Sequence, residues 1–456
     1  MSTVERYLQI IPLPVLMIAP VGALLAFLLI PGRYRMLAAL SLTVAWLPLS
    51  EYHGLGIIQA LAKTTGFAVY MLLAVTAWMD PGPRRRLPLM AWLYPAAALL
   101  GFLYILTVTD RPLALVITVQ WLTLVIAALS VSQTIVDKAS LLRVVQAITV
   151  GLAIALVVPL SDLVLHPGEA FKVRGRFSPY GMNSNHVGIV FGLAAPLALY
   201  AAIRTSRTFW KALLIVVVVA AVSMALLTAS RSTVWFMAGS ALPLALAMTG
   251  RPIMTLFGAI VLVAGVNWAL GKAGEVPLER LTTVETRRVE IARGFLGVIA
   301  QRPWFGLLGT EGESFRASET EFITSRNPHN AYLHILYFGG ISYALPVFTL
   351  AAFTGWCVFR TWKGRRQIAA DPLLINLLVA IMVMTYAHGF VNQSMYYPTT
   401  PIAFPHVLLS TIFMGLAMDL KQRGEALVPQ APDEPASLYL DYGDESPDDD
   451  SAQRAA

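Results

Sequence analysis

Cysteine is almost absent. The 456 residues hold one, Cys357, inside an apolar run. A lone thiol excludes a disulfide within the chain and a thiolate metal site, which needs several cysteines. Charge is scarce too: Asp, Glu, Lys and Arg make up 13% of the sequence, about half the share of a soluble domain. The chain has no G-x-x-x-x-G-K-S/T, H-E-x-x-H or G-x-S-x-G stretch. That removes the usual phosphate loop, the zinc-protease helix and the serine nucleophile elbow. Outside the C-terminal tail, no tight acidic cluster has metal-ligand spacing, which argues against a metal-dependent sugar-nucleotide transferase.

Apolar residues are abundant instead. They account for 57% of the chain, and the mean hydropathy is +0.66. They come in runs of about 20, long enough to cross a hydrocarbon core of ~30 Å. A barrel would alternate, so the runs predict helices. The expected fold is an all-α polytopic membrane protein with 12–13 spans. By eye the runs cover 8–30, 36–50, 55–79, 87–109, 112–133, 141–165, 184–203, 212–229, 233–249, 252–270, 331–359, 373–391 and 401–418. The opening "MSTVERYLQIIPLPVLMIAP" lacks a basic n-region and an A-x-A site and is expected to stay as a helix. Residues 1–165 read as N-terminal spans and 166–420 as a second membrane region holding a long loop, 271–330. Residues 421–456 read as a disordered acidic tail on the cytoplasmic side.

The cations are scattered through short loops, which points to membrane topology rather than nucleic acid. With "RTWKGRR" (Arg360–Arg366) cytoplasmic, alternation puts "PGRYR", "PGPRRR", "DKASLLR" and "RTSRTFWK" inside as well. The same alternation places the N-terminus outside. Three outward segments break the rule. His166–Asn185 carries Lys172, Arg174 and Arg176; "SRS" carries Arg231; the loop from Gly271 to Asn330 carries eight cations. An anionic ligand explains them, as does the tolerance of long translocated loops for positive charge.

Several pieces carry chemistry. Arg231 lies between two apolar spans, where an arginine costs roughly 2.5–3.5 kcal/mol unless it snorkels or pairs. A lipid headgroup or a specific phosphate would both serve. "RGRFSPYGMNSNHVG" runs from cations through a turn into a helix, with Asn183, Ser184 or Asn185 as the N-cap. From Arg287 to Ala300 apolar residues recur at helical spacing, predicting an amphipathic helix on the membrane surface. His329 follows Pro328 and precedes Asn330 at a loop-to-helix junction. A neutral imidazole there either accepts a hydroxyl proton or is a plain hydrogen bonder. Asn330 orients or caps, while Gly339 and Gly340 let a neighbour approach. His334 sits about one and a half turns further on, which opposes a shared two-histidine metal site, and His388 is a weaker intramembrane candidate. Outward arginines with one histidine suit transfer from a diphosphate leaving group to a hydroxyl.

These stretches resemble a known family. "TASRSTVWF", "ETRRVEIARGFLGVIAQRPWFGLLGTE", "HNAYLHILYFGGISY" and "RGRFSPYGMNSNHVG" are similar to motifs of the O-antigen ligase and polymerase superfamily, over about Arg174 to Tyr343. The resemblance implies a GT-C-like membrane fold of about twelve helices with a large periplasmic loop. It implies an inverting, metal-independent glycosyltransferase of the bacterial inner membrane, without a cofactor, whose site faces the periplasm. The donor would be a glycan on undecaprenyl diphosphate. Arg231 and Arg288 would hold the diphosphate, with Arg287 as a stand-in and Arg176 as an extra candidate. His329 would be the base. The acceptor would be lipid A-core in a ligase, a second lipid-linked glycan in a polysaccharide polymerase, or Ser/Thr in a protein oligosaccharyltransferase. The His-Asn spacing leans to the ligase. A lipid-linked glycan transporter is the rival class; it predicts functional charges inside spans, where the sequence offers Lys63, Arg143 and Asp162. An assembly partner whose cations bind only membrane lipid headgroups is a further rival.

Overall fold

The computed structural model describes residues 27, 29–105, 111–171, 176–249, 287–306, 328–368, 371–392, 394–396 and 400–423. These residues form helices and turns, with no strand among them. The α-helices are α1 Gly32–Trp46, α2 Ile57–Trp78, α3 Leu93–Ile105, α4 Arg111–Gln133, α5 Lys138–Ala155, α6 Val157–Leu165, α7 Ser184–Arg204, α8 Thr208–Leu227, α9 Arg231–Thr249, α10 Arg287–Gln301, α11 Ala331–Lys363, α12 Pro372–Gly389 and α13 Ala403–Arg423. Among the described residues, eight helical stretches are long and apolar enough to cross a membrane, the make-up of a polytopic membrane protein. Short 3-10 turns, Leu47–Glu51 and His53–Leu55, join α1 to α2.

Eight of the thirteen expected runs match these stretches. The runs at 36–50, 87–109 and 233–249 fold as α1, α3 and α9, which do not meet the same length and hydropathy test. The runs at 8–30, save Phe27, Leu29 and Ile30, and at 252–270 lie outside the described residues. So do Lys172 and Arg174 of the His166–Asn185 segment, most of the loop 271–330, and the tail beyond Arg423. The tail's expected start, Lys421, belongs to α13. The run 141–165 is carried by α5 and α6, which meet at Leu156 and together make one of the eight stretches.

One buried cluster runs through α1, α2, α4, α5, α7, α12 and α13. α7 packs on α8 and α9, α9 on α12, α2 and α13 on α4, and α1 on α5. The α7–α9 contact is close because Gly188 and Gly192 face Thr233 and Phe236; a Cβ on Gly192 would come within 2.9 Å of the Phe236 ring.

The helix directions define two ends. At one end α7, α9 and α11 begin while α8 and α12 finish. At the other end Asp371 caps α12 through Leu373 N–H (3.0 Å). Its carboxylate also pairs with Arg204 Nη2 (2.5 Å) and accepts from the Tyr200 hydroxyl (2.8 Å). Arg85 and Asp419 pair at 2.7 Å. The clustered cations of "RTWKGRR" lie in the last turn of α11 and just after it, at this second end.

Candidate functional site

The first end gathers the motif segments. Arg176 leads the turn into α7, and its Nε donates to the Thr228 carbonyl (2.8 Å) at the end of α8. Its Nη2 donates to Asn185 Oδ1 (3.2 Å), and the Ser230 hydroxyl donates to the same oxygen (2.9 Å). Phe177 N–H reaches the Leu227 carbonyl (3.0 Å). One amide oxygen therefore ties the cation-rich turn to the "SRS" turn, two segments about 50 residues apart. Asn183 is the N-cap of α7, accepting from Asn185 N–H (3.0 Å), as the sequence suggested. Arg231, half-buried, is the first residue of α9. It sits beside the start of α7, so two helix N-termini, each electropositive, lie side by side with Arg176 and Arg231.

The histidine side assembles on α11 and α12. His329 is exposed and precedes Asn330, the residue before the helix. Asn330 caps it: Oδ1 accepts from Tyr332 N–H (2.9 Å) and Leu333 N–H (3.0 Å). Its Nδ2 donates to the Phe390 carbonyl (3.1 Å) at the end of α12. The Tyr332 hydroxyl donates to the Tyr386 carbonyl (2.9 Å). His388, two residues before Phe390, meets Phe236 of α9 edge-on at 6.1 Å. Phe236 is five residues from Arg231. The Phe236–His388 contact between α9 and α12 and the Asn330–Phe390 bond between α11 and α12 thus place the starts of α9 and α11 at the same bundle end. His388 is buried and forms part of this wall. His334 is half-buried, its ring 4.5 Å from that of Phe338.

Arg287 and Arg288 are the first two residues of α10. Phe295 of α10 meets Tyr337 of α11 edge-on at 4.7 Å. Further along, Ile341 N–H donates to the Pro303 carbonyl (2.8 Å) and Ser342 N–H to that of Trp304 (3.0 Å). The contacts advance in the same direction along both segments, which sets the start of α10 toward the His329 end of α11. The docking is possible because α11 breaks at Gly340 (φ 59°, ψ −164°). A Cβ there would lie 2.5 Å from Phe305 N, and one on Gly306 would lie 2.6 Å from the Tyr337 carbonyl. Gly340 admits the neighbour, as expected. At Gly339 a Cβ would meet the Tyr343 side chain of the same helix.

Backbone strain is concentrated here. Among the described residues, three non-glycines have left-handed φ: Tyr180 (48°), Ala229 (47°) and His329 (49°). Each costs about 1–3 kcal/mol, and each lies in a motif turn. The Tyr180 turn is held by Asp162, whose carboxylate accepts from Tyr180 N–H (2.7 Å) and meets His166 Nδ1 at 3.1 Å.

The α1–α2 connection forms a further wall that the motif reading missed. Gly54 lies against the Tyr180 backbone, and Tyr52 meets Tyr180 edge-on at 6.3 Å. Glu51 Oε2 is 3.0 Å from His186 Nδ1, and Gln59 Nε2 donates to His53 Nδ1 (2.8 Å). Burial pushes the Glu51 carboxyl up, but the hydrogen bond and charge of His186, with Lys63 and His53, outweigh it and hold Glu51 below its ordinary value. Burial, and then the Lys63 charge, lower His53. The signal was present in "NSNHVG", where His186 directly follows the motif asparagine. Its partner, 135 positions earlier, was not visible. No protein-family model matches the chain, and a search of curated proteins finds no significant match.

Proposed function

We propose that the protein is an inverting glycosyltransferase of the O-antigen ligase and polymerase type. It moves a glycan from undecaprenyl diphosphate to an acceptor hydroxyl at the periplasmic face of the bacterial inner membrane. One observation carries the reading: the three strained turns, from distant parts of the chain, converge at one bundle end and bring Arg176, Arg231 and His329 with them. Strain kept in the turns that hold these groups is a feature of preorganised sites. The cation-rich loops at the opposite end support the orientation.

In this reading Arg231 and Arg288, aided by Arg176 and Arg287, take the diphosphate at the paired N-termini of α7 and α9. His329 accepts the proton of the acceptor hydroxyl. Its oxygen attacks the anomeric carbon from the face opposite the diphosphate, and the electron pair of the breaking C–O bond leaves on the phosphoryl oxygen. The arginines offset the charge that grows there. Asn330 holds the start of α11 so that His329 stands at the edge of the site. The chemistry asks for no metal and no cofactor. Lipid A-core is the acceptor of first choice, on the His-Asn spacing; a second lipid-linked glycan or a protein hydroxyl uses the same steps.

The test is transfer by the purified protein from a synthetic undecaprenyl-diphosphate glycan, with chelator present. Lipid A-core, a second donor molecule and a Ser/Thr peptide are offered as acceptors. His329→Ala and Arg288→Ala are expected to abolish transfer while the protein still inserts. Wild-type turnover in both variants would overturn the mechanism, and the acceptor that reacts names the branch.

A further inference from the structure

The Glu51–His186 pair has no part in the steps above, yet it stands at the same bundle end. His186 lies in the first turn of α7, next to Asn185, whose side chain receives both Arg176 and Ser230. The two side chains are 15% and 18% exposed for Glu51 and His186, screened from bulk water but within reach of a ligand. A carboxylate accepts a hydrogen bond from Nδ1–H, which fixes the ring's orientation and leaves Nε2 as its other hydrogen-bonding atom. Glu51 stays ionised, since its neighbours hold it below the ordinary carboxyl range. The surrounding charged and titratable groups are Glu51 and His53 from the α1–α2 connection, Lys63 from α2, Arg176 through Asn185, and Arg231 at the start of α9. Asp162 acts from further off, through Tyr180. Lys63 offsets Glu51, so an anion approaching His186 does not meet an unbalanced carboxylate.

We propose that Glu51 and His186 form a phosphoryl-recognition pair on the donor side of the site. His186 is held through Nδ1–H by Glu51 and donates Nε2–H to a diphosphate oxygen beside Arg176 and Arg231. The ring then lies between two anions and carries both protons when the ligand is bound. The inference rests on the transfer reading for its ligand, a lipid-linked diphosphate diester. It adds a consequence that arginines alone do not give: above neutral pH, binding takes up a proton.

The experiment is calorimetric titration of the full-length protein in detergent. The probe is a synthetic undecaprenyl-diphosphate-linked monosaccharide, whose phosphodiester charges do not titrate near neutrality. Undecaprenol is the uncharged control. Running each titration at pH 8 in two buffers of different ionisation enthalpy reads proton uptake directly. The wild type is expected to bind the diphosphate lipid with proton uptake. His186→Gln is expected to lose about tenfold in affinity, the worth of one hydrogen bond from a charged donor, together with all proton uptake. Glu51→Gln is expected to reduce the uptake while keeping the fold, so the proposal does not depend on one variant's stability. Unchanged affinity and uptake in His186→Gln would overturn it. Binding lost in Arg231→Ala but unaffected in both pair variants would leave the transfer reading standing and remove this one. A wild type that does not distinguish the diphosphate from undecaprenol would overturn both.

Discussion

Replacing Gly340 with alanine tests whether the α10 turn, seated in the break of α11, positions the arginines. Gly340 has φ 59° and ψ −164°, a region open essentially to glycine, and a side chain there costs about 1–3 kcal/mol in backbone strain. The new Cβ would also lie 2.5 Å from Phe305 N, and overpacking of this kind adds about 1–3 kcal/mol. The sum, about 2–6 kcal/mol, competes with what docking supplies: two backbone hydrogen bonds worth about 0.5–1.5 kcal/mol each, plus the Phe295–Tyr337 pair at about 0.5–1.5 kcal/mol. The two sides are of similar size, so the cheaper response is for the turn to leave its seat rather than for the bundle to unfold. Expected results are a small change in the global unfolding temperature, faster hydrogen exchange in residues 291–306, and a fall in glycan transfer of tenfold or more. Gly306→Ala strikes the same contact from the other side, because its Cβ would meet the Tyr337 carbonyl at 2.6 Å. The double variant should therefore be hardly worse than either single one. Wild-type exchange and turnover in Gly340→Ala, or strictly additive losses in the double variant, would refute the reasoning.

Three further outcomes follow from the geometry. Arg176→Ala strips partners from the Thr228 carbonyl and from Asn185, so stability should drop by about 1–3 kcal/mol in a thermal melt, and diphosphate-lipid affinity should fall with it; Arg176→Lys recovers charge but not the two-point contact. Asp371→Asn keeps an α12 cap while losing the ionic contact to Arg204, which is one-third exposed. A loss of about 1–2 kcal/mol, discounted for solvent, is expected, with kcat unchanged because the pair lies at the far end. His53 is lowered from its ordinary 6.5 and accepts from Gln59. Glu51 is lowered from its ordinary 4.5. Both bind protons more readily when unfolded, so stability rises with pH. His53's contribution is present above pH 6.5 and fades as pH falls through its folded value; Glu51's does the same below 4.5. Melting temperature should decline on acidification from pH 7, and less steeply in His53→Gln.

Much of the bundle was legible because a bilayer imposes a simple rule: long apolar runs become helices. Eight runs obeyed it closely. The N-caps Asn183 and Asn330 were also readable, since a short polar side chain before an apolar helix has few other uses. Glu51 and His186 were not legible, because a pairing across 135 positions leaves no periodicity or spacing behind. Nor was the break at Gly340. A glycine pair inside an apolar run signals close approach, but which of the two carries the left-handed turn depends on a neighbour, Trp304, from another segment. The strain at Ala229 leaves no trace in sequence at all: alanine is a helix former, and only the need to turn from α8 into α9 within a few residues forces its conformation.

The contact of Gly54 and Glu51 with the Tyr180 turn and His186 bears on where this protein can be divided. The motifs begin after residue 165, so a fragment starting there appears on paper to hold everything that matters. That fragment would lack one flank of the candidate site, and α5, which packs on α7, would be missing as well. Residues 1–165 are better regarded as half of a mould than as an attachment. Two separately expressed halves should therefore be inert apart and regain function only when they are made together in one membrane.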